Sequence, residues 1–396
     1  MGYRVLAVGV ASDVKDYPQN QNEFRFAFKG LVAFYDPPKE NINSVLEKSY
    51  KAGIKVKVIT GDNSTTTSTI ANQIGLKGAE QSVTGDVLMQ LDDARFKDTV
   101  SKTTIFARMF PDAKLKVIQA LKAQGEIVAM TGDGVNDGPA LKAANIGIAM
   151  GKKGSEIAKR ASALILADDD LDRMVDGIAM GRKIYSNLKK AIQYIISIHI
   201  PIILIVFLPL VFGWIYPAII SPVHVIFPEL IMGPTCSIIY ENEPIEKNAM
   251  EQRPRVFTNT FFNLKELSVS ILQGLMITAG LVVIYFNATT GGETLATTTS
   301  LVFIGLITAN ITLTLVNRSF YYSLLTTLRY PNNLIFPIIG ATIFILLVIF
   351  LIEPLRTFFR FEIPDVSEIG FSLLVGFASV IWFEGYKLIR RIKNKS

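Results

Sequence analysis

One cysteine, Cys236, stands in the whole 396-residue chain, so an internal disulfide framework is excluded, and a lone thiol does not make a soft-metal site. The start, Met1-Gly-Tyr-Arg-Val-Leu-Ala-Val8, has no separate basic and apolar regions and reads as a strand, not a secretory signal. Leu6 stands where a myristoylation motif needs Ser or Thr. There is no internal repeat and no low-complexity tract. The excess is apolar: half the residues are hydrophobic, too many for an ordinary soluble protein. That excess is uneven. Residues 1–183 carry normal charge and normal strand and helix patterning, whereas 191–389 are dominated by apolar runs long enough to cross a bilayer. The net charge of +6 does not argue for nucleic acid. Much of it lies at the ends of the apolar runs, including Lys387, Arg390, Arg391, Lys393 and Lys395, which is the positive-inside pattern of a membrane protein.

In the first part, strands are expected at 3–10 and within 24–34. Asp36-Pro37-Pro38-Lys39 then stops the sheet and opens a helix over 39–52, ended by Gly53. Strand 54–59 leads to Thr60-Gly61-Asp62 and helix 64–74, closed by Gly75. Strand 103–107 leads to helix 112–123, closed by Gly125. Strand 127–130 is followed by helix 137–144, strand 146–149, helix 154–162 and strand 163–167. Strands alternating with helices predict a parallel, doubly wound α/β sheet of the Rossmann type. Strand 127–130 runs into Met130-Thr-Gly-Asp-Gly-Val-Asn-Asp-Gly-Pro139, which places Asp133 and Asp137 on the turn after it. A loop at the carboxyl end of a parallel strand is where such folds bind ligands, and two converging carboxylates there point to a hard divalent cation such as Mg²⁺. From Leu171 a helix is expected to run unbroken through Lys189 and Lys190 into the bilayer, a stiff mechanical link. Six spans are expected, at about 191–212, 218–240, 266–286, 299–316, 334–352 and 370–388. The cytosolic loops then hold Lys247, Arg253, Arg255, Lys265, Arg318 and Arg329, and both termini lie in the cytosol of a multi-pass protein of the cell membrane.

The order Asp36-Pro-Pro-Lys39, Thr60-Gly-Asp62, Lys114, Thr131-Gly-Asp-Gly-Val-Asn-Asp137 and Ala144-Asn-Ile-Gly-Ile-Ala-Met-Gly151 resembles the phosphorylation domain of P-type cation-transporting ATPases of the calcium-pump type. That domain is haloacid-dehalogenase-like, and the resemblance continues through the Arg182–Lys190 stalk into an all-α domain of six spans. It implies three parts: 1–28, the end of a nucleotide-binding domain; 29–183, the phosphorylation domain; and 184–396, the transmembrane domain. It implies ATP and Mg²⁺ as cofactors. Thr60 and the Gly61 amide would donate to phosphoryl oxygens, Lys114 would neutralise them, and Asn136 would contact the phosphoryl group. Asp133 would bind Mg²⁺, with Asp137 positioning Lys114 or the metal shell. Asp62 and Arg4 would touch nucleotide, and Asp36 would sit at an interdomain hinge, although Lys39 replaces the arginine usual there. The nucleophile motif of the family, Asp-Lys-Thr-Gly-Thr, does not occur, nor does the Thr-Gly-Glu-Ser phosphatase loop. The chain is therefore expected to be the C-terminal portion of a pump that lacks the central strand of its sheet: a truncated reading frame, a split subunit whose N-terminal half a separate chain supplies, or a gene remnant.

In the membrane part, Glu229 is the clearest functional candidate, a mid-span carboxylate between Pro228 and Gly233-Pro234. Prolines and glycine should free helix carbonyls beside it, a standard way to build a cation site at membrane depth. By position the segment resembles the sixth span of calcium pumps, with Gly233 where a further aspartate is expected. His199, followed by Pro201, lines the same site or caps a kink. Oxygen ligands favour Ca²⁺ or another hard cation. Asn310 reads as an interhelical hydrogen-bonding residue, and Glu384 as a glutamate snorkelling to the cytosolic surface. Two other classes compete with a pump: a membrane-tethered phosphatase, which would need its own Asp-x-Asp motif before Thr60, and a non-catalytic membrane subunit or remnant. Lys114 and Mg²⁺ stabilise transferred charge but cannot replace an attacking carboxylate. The purified 396-residue chain alone is accordingly expected to incorporate no acid-stable label from radioactive ATP, and clear incorporation would overturn the reading.

Overall fold

The computed structural model describes residues 4–12, 14, 19–34, 37–255 and 260–393. Contacts divide the chain into two units, residues 1–179 with 247–257, and residues 180–246 with 258–396.

The first unit opens with an antiparallel hairpin, β1 (Arg4–Val10) and β2 (Ala27–Phe34), whose apolar side chains, Val8, Phe28 and Leu31 among them, are exposed. Then come α1 (Ile42–Lys51), β3 (Val58–Ile59), α2 (Ser64–Gln73), β4 (Ser82–Thr84), α3 (Gly85–Met89), α4 (Asp93–Lys102), β5 (Ile105–Ala107), α5 (Pro111–Ala123) and β6 (Ala129–Gly132). They are followed by α6 (Gly138–Ala143), β7 (Ile146–Met150), α7 (Glu156–Ala161) and β8 (Leu164–Leu166). The expected α/β alternation is present, and its strands are parallel. They form two three-stranded sheets, β3-β5-β4 and β6-β7-β8. β5 is the middle strand of the first, and Ile105, Phe106 and Ala107 are all fully buried, as the continuous apolar run of a parallel strand covered on both faces should be. Residues 82–102, where the apolar pattern predicts no element, hold β4, α3 and α4. Three residues of mixed polarity are too few to show period two, so β4 exists only because β5 pairs with it. Gly53 and Gly75 end α1 and α2 with φ of 73° and 71°, a conformation only glycine adopts without strain.

Each sheet packs a core against its helices. One core holds Phe96, Val100, Phe106, Val117 and Leu121, and the other Ile118, Met130, Leu141 and Ala149; Ile59 and Val128 pack against both. The turn after β7 is held by Asp169, whose carboxylate accepts the backbone N–H groups of Lys152 and Lys153 at 2.9 and 3.0 Å. The Lys152 bond above all, opposed by partial burial, holds the Asp169 carboxyl below the ordinary carboxylate range.

The second unit is helical: α8 (Asp172–Val211), which begins in the first unit, α9 (Pro222–Pro234), a π-helical segment (Thr235–Tyr240), α10 (Leu264–Thr290) and α11 (Leu295–Val316). Then come α12 (Leu324–Thr327), α13 (Ile335–Leu351), α14 (Glu353–Phe358) and α15 (Val366–Lys393). Four of these, α8, α10, α11 and α15, are long and apolar enough to cross a membrane; α13 and the apolar part of α9 are shorter. α11 is the most enclosed, and α15 crosses it where a Cβ on Gly376 would lie 2.6 Å from the Gly305 carbonyl oxygen. Small residues at such crossings let backbones touch, which is how helices associate where there is no hydrophobic drive. Asn310 is the interhelical residue expected, accepting from the Tyr194 hydroxyl at 2.6 Å. Glu384 does not snorkel. It takes Lys387 Nζ at 2.6 Å and the Leu324 N–H at 3.0 Å, and Lys387 is itself fully buried, donating also to the Val316 carbonyl at 2.6 Å. An exposed end of α11 would leave that carbonyl to water; here a lysine caps it.

Phe106→Ala removes a side chain with no exposed surface from the centre of its core. It is expected to lower the stability of the first unit by about 3–5 kcal/mol, measured as a shift in the denaturant midpoint of the chain followed by near-ultraviolet circular dichroism.

Candidate functional site

Thr60 follows β3, and its backbone N–H donates to the Phe106 carbonyl at 2.9 Å, which continues the ladder beyond the strand. Its carbonyl accepts the Met109 N–H at 2.9 Å, so the residue is tied to the loop that enters α5. The Thr60 hydroxyl donates to Asp62 at 3.2 Å and accepts the Asp62 N–H at 3.1 Å. Gly61 and Asp62 are exposed, and a Cβ on Gly61 would meet nothing within 4 Å, so the space in front of this loop is open.

Asp137 lies at the end of the turn after β6 and is buried. Its Oδ1 accepts Lys114 Nζ at 2.6 Å and its Oδ2 accepts the Gly134 N–H at 3.3 Å. Lys114 sits in the first turn of α5, opened by Pro111, and is also largely enclosed. A buried pair of this kind has few alternative geometries, because moving either partner strands the other charge. Gly132 makes room for it: a Cβ there would stand 2.7–2.9 Å from the Asp137 side chain. Both Asp137 oxygens are thus engaged, whereas Asp133 and Asn136 are exposed. Asp133 is fixed through its backbone, its carbonyl accepting the Ser155 N–H at 2.8 Å. Among the described residues no group of three His, Cys, Asp or Glu side chains could hold a metal by itself. α5 links these parts, since the loop before it holds Thr60 and its first turn carries Lys114.

Arg108 was not singled out by the sequence. It has φ of 49° in the loop after β5, and its N–H donates to the Asp62 carbonyl at 2.8 Å. With Val5, Thr84 and the start of α2, Asn63–Thr66, it lines an open cavity of about 660 Å³. Its only sequence signal is its place shortly before the α5 lysine. The Arg4 side chain and all of Asp36 lie outside what the structure describes.

In the second unit His199 and Glu229 come together: Nε2 of the ring stands 3.1 Å from Glu229 Oε1. Nδ1 is 2.8 Å from the Ile195 carbonyl, which can only accept, so Nδ1 carries a proton. Glu229 is exposed on the unit and His199 is half-buried. The helix around Glu229 is not unwound. α9 continues through Pro228 to Pro234 and then widens into the π-helical turns of 235–240.

A parallel α/β domain with a buried lysine–aspartate pair and exposed aspartates at its strand ends, joined to helices long and apolar enough to cross a membrane, is the make-up of a haloacid-dehalogenase-like domain carried on a membrane protein. Residues 10–145 match the family described as haloacid dehalogenase-like hydrolase, and residues 217–389 match Cation transporting ATPase, C-terminus. The chain is 36% identical over 277 residues to Calcium-transporting ATPase 1 of Lactococcus lactis, an alignment covering 69% of this chain and 31% of the relative. To Calcium-transporting ATPase type 2C member 2 of Homo sapiens it is 31% identical over 392 residues, covering 96% of this chain and 39% of the relative. The chain belongs to the P-type cation-transporting ATPases and corresponds to their C-terminal portion, and it is an integral membrane protein. It spans well under half the length of the curated relatives it matches.

Gly132→Ala is expected to push Asp137 aside and release Lys114. The measurement is the rate at which an amine-reactive reagent labels Lys114, read by peptide mass spectrometry. The rate should rise severalfold over wild type, and an unchanged rate would mean that the turn accommodates the methyl without moving the pair.

Proposed function

We propose that this chain is the C-terminal portion of an ATP-driven pump that moves an inorganic cation, Ca²⁺ before other hard cations, across the cell membrane through an aspartyl-phosphate cycle. The observation that carries the reading is the buried Lys114–Asp137 pair at the carboxyl end of β6. It holds a fixed cation where a transferred phosphoryl group would gather charge, and charge stabilisation is most of what phosphoryl transfer asks of a protein. Thr60 and the Gly61 amide would donate to the phosphoryl oxygens from β3, and Asn136 from the turn. Asp133, with an exposed carboxylate, fits Mg²⁺, which is usually held by one or two carboxylates together with phosphate and water. Mg²⁺ would neutralise phosphoryl charge there, while Asp137 serves Lys114. Asp62 and Arg4 would contact ATP, with residues 1–28 as the end of a nucleotide-binding domain, 29–183 as the phosphorylation domain, and Asp36 at the hinge between them. Residues 184–396 would form the membrane domain, with six spans and both termini in the cytosol.

The nucleophile would come from another stretch of polypeptide. Among the described residues β3 pairs only with β5 and β6 only with β7, while Ile59 and Val128 pack against both cores and Lys55 pairs with Glu126 at 2.8 Å. Two facing open edges would accept one more parallel strand, bringing an aspartate to the level of Thr60 and Asp133.

The Glu229–His199 pair would form part of the ion site. Glu229→Gln keeps the volume but leaves only dipoles for the cation. In the reconstituted complete pump, the ion concentration for half-maximal ATPase activity should rise roughly tenfold or more, each tenfold being about 1.4 kcal/mol. Ca²⁺, Mg²⁺, Mn²⁺ and pH are varied in turn. A selective shift names the ion, and an unchanged midpoint for every ion removes Glu229 from the site.

A further inference from the structure

We propose that Glu243 is a positioning residue for the Glu229 carboxylate: a buried pin holding one end of a helix whose middle cannot fix its own register. The inference rests on the reading of Glu229 and His199 as the ion site. α9 carries Pro228 and Pro234 within it. Each lacks an N–H and crowds the carbonyl one turn back. Beyond Pro234 the backbone winds as a π-helix over six residues, Thr235–Tyr240, a rare and weakly held form that elsewhere marks functional turns. From 228 to 240 there is thus no continuous ladder of ordinary helical bonds to transmit rotation along the axis. The direction in which Glu229 points depends on what grips the two ends.

Both ends are gripped by buried polar side chains. At the first, His224, 2% exposed, is 2.6 Å from the Phe359 carbonyl through Nε2, and its Nδ1 accepts the Ser221 N–H at 3.0 Å. At the other, Glu243 Oε1 accepts Arg318 Nε at 2.7 Å and Asn332 Nδ2 at 2.7 Å. The same Asn332 amide donates to the Ile239 carbonyl at 2.9 Å, inside the π segment, and Asn187 donates to the Glu243 carbonyl at 2.7 Å. Glu243 is 1% and Arg318 2% exposed. A neutral cap would satisfy those carbonyls at less cost than two buried charges. What a buried pair adds is a single allowed geometry, since displacing either partner leaves the other charge uncompensated. α9 and the π segment are therefore a compliant element strung between two stiff anchors, with Glu229 on the compliant part.

His199 and His224 are the only histidines in the chain, which makes the test direct. The full chain, carrying nitrogen-15 histidine and placed in lipid nanodiscs, gives one set of ring-nitrogen signals from the proposed site and one from the opposite anchor. Glu229→Gln marks where the His199 signals lie without their carboxylate partner. Glu243→Gln is expected to move the His199 signals toward that position while His224 stays still, and Arg318→Lys should give a smaller move in the same direction. Unmoved His199 signals in Glu243→Gln would overturn the proposal. If both histidines shift with loss of signal dispersion, that variant has unfolded. Asn332→Ala then decides, because it leaves the Glu243–Arg318 charges paired and removes the grip on Ile239: movement of His199 alone supports the pin, and no movement overturns it. The ion-site reading is tested separately on the wild-type chain. His199 signals that respond to none of Ca²⁺, Mn²⁺ or Mg²⁺ would remove that reading, whatever Glu243→Gln does.

Discussion

Helix carbonyls that the helix cannot use must be met by something else, and in the membrane unit this requirement accounts for several of the buried polar side chains. Water is scarce there, so an unmet carbonyl costs more than it would at a soluble surface. The C-terminal end of α11 is closed by Lys387 from α15. The Ile239 carbonyl in the π segment is met by Asn332, the Glu243 carbonyl beyond it by Asn187, and the Phe359 carbonyl by His224. Each of these side chains comes from a different element from the carbonyl it satisfies. The caps are therefore also ties between helices, and the buried amide exchange between Gln273 and Asn317, at 2.9 and 3.2 Å, belongs with them. In a unit whose helices gain little from hydrophobic association, such ties and the glycine crossings set which arrangement is adopted.

The proposed phosphoryl site is built on a different principle. Its precision comes from backbone turns at strand ends. Gly132 has no side chain because Asp137 occupies the space, and Asp137 is placed to hold Lys114. The Lys114 and Asp137 charges are enclosed and mutually fixed, while Gly61, Asp133 and Asn136, groups that would meet substrate, are exposed and Thr60 is half-buried beside them. Preorganised charge beneath an open floor suits a reaction in which charge shifts but little covalent work falls to the surrounding residues.

Much of this was legible in the sequence because the signals were local. Strand–glycine–acid turns, Pro at the start of α5 and glycine at helix ends each state their conformation within a few residues. The Thr60, Lys114 and Asp133–Asp137 segments could be read for that reason, and so could the apolar runs. What was not legible depends on distant partners. β4 has no period to read and is a strand only through β5. Glu384 looked like a residue reaching for the surface because nothing nearby in sequence announces Lys387 as buried. Asp137 read equally well as a metal ligand or as a partner of Lys114, and only the folded turn brings its Oδ1 onto the Lys114 amine. Glu243 and Arg318 are 75 residues apart and appear in the sequence as two ordinary loop charges. Prolines 228 and 234 announced a disturbed helix but not its form: it is widened after Pro234, not unwound at Glu229.

That form has a consequence for how an ion site can work in such a segment. A rigid α-helix would carry a carboxylate at one angle, and changing that angle would mean moving the whole rod. A segment with prolines and a π turn can rotate locally because the bonds it would have to break are already missing, and the energy involved is a few weak contacts. Freedom of that kind is useful only if the ends stay put; otherwise the motion dissipates along the chain. Burying charge at Glu243 and Arg318 supplies the fixed end at the expense of stability, and in the proposed ion site the pairing of Glu229 with His199 would be a contact weak enough to be exchanged for a cation. Stiff ends and a soft middle are thus two halves of one requirement that the proposed ion site would face: a ligand that would hold its ion in one state and release it in another.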